Sequence, residues 1–183
     1  MSGGPGGSAA DGGLLVGLLG PVEVRGAGQA LAGIAQPMLR TLVAMLAIAP
    51  GRVVSDEALV DALWGDSPPR TAVHVVEVYV SDLRRALPAG VLATSSPGYV
   101  LRVPPDAVDL HAFEGLVSEA RVRLAGGDPR EAAQSLTQAL ALWRGPVLQD
   151  LADEGFVRVE ALRLEELRLE AVSYTHLTLP TKA

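Results

Sequence analysis

Cysteine is absent from this 183-residue sequence. That excludes disulfides, cysteine-based zinc sites and thiol nucleophiles. Lysine is nearly absent: the only one, Lys182, stands next to the last residue, and every earlier Lys/Arg position is arginine. Histidine is scarce as well. Apart from His176, only His74 and His111 occur, and they fall in different predicted halves, so no histidine metal site is expected. No apolar run approaches the ~20 residues that a bilayer span needs, and no membrane partner is expected. The opening stretch, Met1 to Gly13, lacks a basic region and a long apolar core. It reads as a disordered tail of Gly, Ser, Ala and Pro, not as a signal peptide. A cytoplasmic location fits. No lysine follows Gly3 to Gly7 in the Walker manner, and no serine sits in a nucleophile elbow. No enzymatic activity and no cofactor are therefore expected.

A basic excess is missing too. Formal net charge is −6. Up to Val103, seven Arg stand against eight Asp/Glu; from Pro104 to Ala171, seven Arg stand against thirteen. The front is near neutral and the back is acidic, which suggests two domains with different partners.

What is present is periodic. Leu14 to Leu19 is a short apolar run broken by Gly20-Pro21. Val22 to Arg25 alternates like a half-buried strand, and after the Gly26–Gly28 turn, Gln29 to Ile34 reads as a returning strand. Leu39, Leu42, Val43 and Leu46 then mark one face of a helix that starts near Pro37 and stops at Pro50-Gly51. Ser55 is a good N-cap for a second helix, with Asp56 and Glu57 in its first turn and Trp64-Gly65 at its end. Asp66-Ser67-Pro68-Pro69 is a rigid connection.

A third helix is predicted from Arg70 to Leu87, with Ala72, Val76, Val80, Leu83 and Leu87 as its buried stripe. At ~100° per residue, Thr71, His74, Val78, Ser81 and Arg85 fall on the opposite side. The β-branched run Val73 to Val80 leaves a strand as the alternative. Val91–Thr94 and Tyr99–Val103 flank Ser95-Ser96-Pro97-Gly98 as a hairpin, and Pro104-Pro105 marks the expected domain boundary. Behind it, three helices are expected. One is capped by Asp109 and runs to Ala125. One follows Asp128-Pro129, with Ala132, Ala133, Leu136, Ala139, Leu140 and Trp143 on its apolar face. One spans Glu154 to Ala171. The first two form a hairpin near the ~34-residue tetratricopeptide period. Trp64, Tyr99 and Trp143 read as core anchors.

The last residues break this pattern. Val172 to Thr181 resembles the translation of a transposase-type sequencing adapter, and it interrupts an Arg/Glu/Leu helix without a cap. Residues 172–183 are therefore expected to be disordered or poorly packed, with the helix before them frayed. The front unit is expected to close its own core before Pro104.

Taken in order, these elements form an α+β chain: a winged helix-turn-helix over residues 14–103, then an incomplete all-α, TPR-like domain over 104–171. The motifs match as well as the order. Gly17 to Val24, Arg52-Val53-Val54-Ser55, Ala62-Leu63-Trp64-Gly65-Asp66, Val78 to Leu87 and Pro97-Gly98-Tyr99-Val100-Leu101 resemble the OmpR-type winged helix of SARP-type regulators of antibiotic and secondary-metabolite pathways. Asp109 to Glu114, Ala139 to Pro146 and Glu165 to Leu169 resemble the bacterial transcriptional activator domain that follows in that family. The resemblance covers Leu14 to Ala171.

The resemblance implies binding to double-stranded DNA at direct repeats, as a pair of protomers, with recruitment of RNA polymerase. It places the third helix in the major groove. It nominates Arg70, Thr71, His74, Val78, Ser81, Asp82, Arg84 and Arg85 on that helix, and Ser96 and Arg102 on the wing, as DNA contacts. Asp66 and Ser67 would touch polymerase. Large family members carry a nucleotide-binding ATPase domain further on. Three departures stand out. Asp82 occupies a place that is commonly Arg, where a carboxylate repels phosphate but accepts from a cytosine amino group. Met38-Leu39 replaces a basic and polar pair, and the front lacks a basic balance. These departures motivate the alternative of a protein-interaction adaptor that has lost DNA affinity.

Overall fold

The computed structural model describes residues 13–178. The expected tail, up to residue 12, and residues 179–183 lie outside the described residues. The chain opens with an antiparallel sheet of β1 (Leu15–Gly17), β2 (Glu23–Gly26) and β3 (Gln29–Ala30), with Val16 opposite Val24. The predicted return strand to Ile34 is shorter than expected. It ends at Ala30, and Ala32–Ile34 form a 3-10 turn that drops Ile34 into the core. Two ladder pairs suffice to close the Gly26–Gly28 turn.

Helix α1 (Pro37–Ile48) begins with Pro37 in its first turn and buries Leu39, Leu42, Val43 and Leu46 as the spacing requires. β4 (Val54–Ser55) leads into α2 (Asp56–Trp64), whose Ala58 amide donates to the Ser55 hydroxyl at 3.1 Å. Gly65 ends α2 with a positive φ of 55°, a conformation in which glycine meets no Cβ penalty.

Helix α3 (Ala72–Ala86) buries Ala72, Val76, Val80 and Leu83 against α1, α2 and the 3-10 turn. The strand alternative for Val73–Val80 fails because this four-three spacing gives one continuous apolar face only in a helix. The helix starts two residues later than predicted. Arg70 and Thr71 lie before it, with Thr71 as its N-cap. β5 (Leu92–Ser95) and β6 (Gly98–Leu101) form the hairpin, slightly shorter than expected. β6 also pairs with β4, giving the order β4-β6-β5.

The helical half comprises α4 (Asp109–Ala125), α5 (Pro129–Ala141) and α6 (Gly155–Thr178). α4 and α5 pack as a hairpin, and α6 packs on α5. Phe113 meets Trp143 edge to face at 5.3 Å between ring centroids.

Two further expectations need correction. α6 does not end at Ala171: it continues through the adapter-like residues to Thr178, with Ala171 fully buried. Helix propagation fixes one bond per added residue and needs no special sequence. Ser173 and Thr175 donate back to the carbonyls of Leu169 and Ala171, at 2.9 and 2.8 Å.

The front half also does not close its own core before Pro104. One apolar cluster runs from Leu14 to Ala171. The turn after β1 is bound into the helical half through main-chain bonds. Arg144 N–H donates to Leu19 O at 2.8 Å, and Leu148 N–H donates to Leu18 O at 2.9 Å. Asp109 does not cap α4. Its carboxylate accepts from the amides of Leu18 at 2.6 Å and Leu19 at 3.1 Å.

His111 forms a second tie between the halves. Its Nε2 lies 2.9 Å from the Ile48 carbonyl at the end of α1, and its Nδ1 lies 3.1 Å from Glu114. Both partners are acceptors, so the imidazolium satisfies both and the neutral ring only one. The hydrogen bond donated to Glu114 outweighs burial and holds the His111 pKa above 6.5. Because the folded value is raised, this stabilisation is complete below 6.5 and is lost as pH rises through the folded value. His111→Gln should cost about 1–2 kcal/mol in acid, where a cation at a helix C-terminus is lost, and much less in alkali. Thermal unfolding across pH checks this; parallel wild-type and variant profiles would contradict it.

Candidate nucleic-acid interface

α3 lies with its apolar stripe in the core, so its other side is left to solvent. His74, Val78, Ser81 and Arg85 are all exposed there, with Thr71 at the N-cap. A helix about 10–12 Å across fits the roughly 12 Å width of a major groove. The hairpin β5–β6 stands beside the helix C-terminus as a wing. Ser96 is exposed at its tip and Arg102 is exposed just past β6, where its amide is held by the Val91 carbonyl at 2.7 Å. The Gly65–Thr71 connection is exposed throughout and carries Asp66, Ser67 and Arg70.

The structure sets the wing beside α3 and gives the nominated residues unequal freedom. Arg84 is not the free cation that the sequence suggested. Its Nε donates to Leu92 O at 3.1 Å, a terminal nitrogen donates to the Thr94 hydroxyl at 2.6 Å, and its guanidinium stands 5.8 Å from the Tyr99 ring centre. Arg84 therefore braces the wing against α3, because the strand that follows α3 brings a carbonyl within its reach. Arg85 is 77% exposed and lies 3.3 Å from Asp82, which is 35% exposed. Such an exposed pair is worth little to stability. Asp82 thus meets its nearest cation inside the helix.

One acidic side chain was missed in the sequence. Glu77 is exposed on α3, and its Oε2 lies 3.3 Å from His74 Nδ1. It stands on the wing side, close enough to add to the field at Tyr99. The Tyr99 hydroxyl is held above its ordinary value of 10.0 mainly by burial, with Asp56 and Glu77 adding and Arg84 opposing. The i, i+3 spacing of His74 and Glu77 was the available signal.

The surface is electrostatically mixed: Arg70, Arg84, Arg85 and Arg102 stand against Asp66, Glu77 and Asp82. Among the described residues, no group of three His, Asp or Glu could hold a metal ion, and no helix is long and apolar enough to cross a membrane.

Residues 35–101 match the family model described as "Transcriptional regulatory protein, C terminal", and residues 108–177 match "Bacterial transcriptional activator domain". The chain is 38% identical over 160 residues to the regulatory protein AfsR of Streptomyces coelicolor, covering 87% of this chain and 16% of that protein. It is 36% identical to the transcriptional regulator RedD of the same organism, over 86% of this chain and 47% of RedD. With the regulatory protein DnrI of Streptomyces peucetius it shares 34% identity, over 84% of this chain and 60% of DnrI. The structure of Mycobacterium tuberculosis EmbR in complex with a low-affinity phosphopeptide superposes with a TM-score of 0.86 at 36% identity, covering 90% of this chain and 45% of that one. The chain thus spans less than two thirds of the length of these relatives.

Proposed function

This chain belongs to the SARP-type transcriptional regulators, with an OmpR-type domain followed by a bacterial transcriptional activator domain, and from that premise we propose that it is the promoter-reading part of an activator of a secondary-metabolite gene cluster. In this reading α3 enters the major groove of a direct repeat, one protomer per repeat, and the wing contacts flanking phosphates. Arg85, Arg102 and Arg70 supply the phosphate-directed charge, while Arg84 fixes the angle between helix and wing. Asp66 and Ser67 contact RNA polymerase. Such a protein works in the cytoplasm, where the DNA is. The relatives carry the names of regulators, not of enzymes.

The observation that carries this reading is the exposed polar face of α3, with a braced wing beside it, in a chain matching a transcriptional regulator domain at 35–101. A mobility shift with duplexes containing direct repeats, run across a salt series, tests it. Binding should weaken steeply with salt. Arg85→Ala and Arg102→Ala should each lower affinity at all sequences and reduce the salt slope by about 1. Absence of any shift would favour the adaptor reading, which the acidic residues on α3 support.

For the polymerase contact, Asp66→Ala should leave the shift unchanged and reduce activated transcription. Equal losses in both assays would contradict it.

A further inference from the structure

Within the reading that α3 lies in the major groove, on which this inference rests, one feature of its exposed face is unusual. Beside the hydroxyl of Ser81 and the cation of Arg85, this face offers acceptors. His74 is 76% exposed and Glu77 is 58% exposed, and their side chains meet at 3.3 Å between Nδ1 and Oε2. A carboxylate can only accept, so the hydrogen on this contact comes from Nδ1. In the neutral ring that leaves Nε2 with a lone pair, so the two groups turn Nε2 and a second carboxylate oxygen outward. The other carboxylate on the helix, Asp82, is less exposed and lies 3.3 Å from Arg85. Arg84 is committed to Leu92 O and Thr94.

We propose that His74 and Glu77 form a cytosine-reading acceptor pair on α3. In the major groove guanine shows two acceptors, N7 and O6, and thymine shows O4 and a methyl group; none of these pairs with an acceptor. Adenine offers its N6 amino group, but with the N7 acceptor beside it. Cytosine alone presents an amino donor with no neighbouring acceptor. Glu77 holds the imidazole in the tautomer that accepts, much as a carboxylate orients a metal-binding histidine through its far nitrogen. The amino group has one hydrogen outside its base pair, which the Glu77 oxygen takes, while the His74 lone pair repels the acceptor edges of the other bases; the pair therefore selects a C·G pair at one position of each repeat.

In-vitro selection from a randomised duplex library, using the whole chain at fixed salt, tests this. Wild type should enrich a motif, and Glu77→Ala should enrich the same motif with one C·G position degenerate. Glu77→Gln should shift that position toward A·T, because an amide can bond adenine N6 and N7 together. At the identified position, replacing cytosine by pyrimidin-2-one, which lacks the 4-amino group, should weaken wild type about tenfold and Glu77→Ala less than about twofold. Both side chains are exposed, so the variants should melt as wild type does. An unchanged motif for Glu77→Ala, or indifference of wild type to the cytosine analogue, overturns the acceptor pair and leaves DNA binding intact. Enrichment of no sequence by wild type overturns the groove reading and the pair together.

Discussion

Gly98→Ala is expected to detach the wing and destabilise the chain by about 3–5 kcal/mol, at the upper end for a single substitution. A Cβ at this position would collide with the Val54 carbonyl oxygen and stand 2.7 Å from Ser55 Cα and 2.8 Å from the Val54 carbonyl carbon. All three atoms are backbone, so no side-chain rotation relieves the clash. β4 would have to leave β6, losing the Ser55–Gly98 and Val54–Tyr99 pairs and exposing the neighbouring Asp56 amide, which donates to Pro97 O at 3.0 Å. Because β4 runs directly into the Ser55 cap of α2, the damage reaches that helix start as well. At roughly 2–4 °C per kcal/mol for a chain of this size, the midpoint should fall by about 10 °C. DNA affinity should fall with it, since the wing is no longer held beside α3. Thermal unfolding by circular dichroism gives the measure. A midpoint within about 2 °C of wild type would show that the sheet yields at little cost and would defeat the prediction.

Asp109→Ala should cost about 3 kcal/mol, because two amides in a part-buried site lose a charged acceptor. Leu18 and Leu19 donate to this carboxylate across 91 and 90 residues of sequence, and neither amide has a strand partner in the β1–β2 ladder. Arg144 would keep Glu23 and the Pro21 carbonyl as partners, so the loss falls mainly on the two amides.

Asp109→Asn separates the two components of this site. The amide oxygen still accepts, while the buried charge disappears. Burial raises the Asp109 pKa above 3.8, outweighing the bonds from Leu18 and Leu19 and the attraction of Arg144. A raised acid binds its proton more readily in the folded chain. The ionisation of Asp109 therefore opposes folding as pH rises through the folded value, and stability from this source is greatest below 3.8. At neutral pH the asparagine variant should accordingly lose less than the alanine variant. Hydrogen exchange at the Leu18 and Leu19 amides is the direct probe. Unchanged protection in Asp109→Ala would mean that the main-chain bonds at Arg144 and Leu148 carry the junction without it.

Much of this was legible in the sequence because it is local. The spacing of Leu39, Leu42, Val43 and Leu46 gives α1 its buried face, Ser55 caps α2, and the stripe from Ala72 to Leu83 fixes which side of α3 meets solvent. Helical periodicity places side chains by angle alone, so exposed His74, Val78, Ser81 and Arg85 followed from counting. α3 starts two residues later than its spacing predicts, because Arg70 and Thr71 are compatible with a helix and nothing apolar marks the difference. The end of α6 lies seven residues beyond the expected Ala171, because the adapter-like residues 172–178 hold no Gly or Pro and backbone bonding extends the helix through them.

Sequence by itself determined the order of elements, the buried faces of the helices and the resemblance to a regulator family, since each of these depends on residues within a turn or two of one another. The tertiary structure decided which polar groups are free. Arg84 became a brace because β5 brings the Leu92 carbonyl and Thr94 to it. Asp109 left its own helix for the amides of Leu18 and Leu19, and the two halves came to share one core. A strand of two residues such as β4 carries no period of its own and exists only through β6. Partners of this kind lie far away along the chain, and hydrogen-bonding capacity is the same in every candidate. Only the folded geometry selects among them.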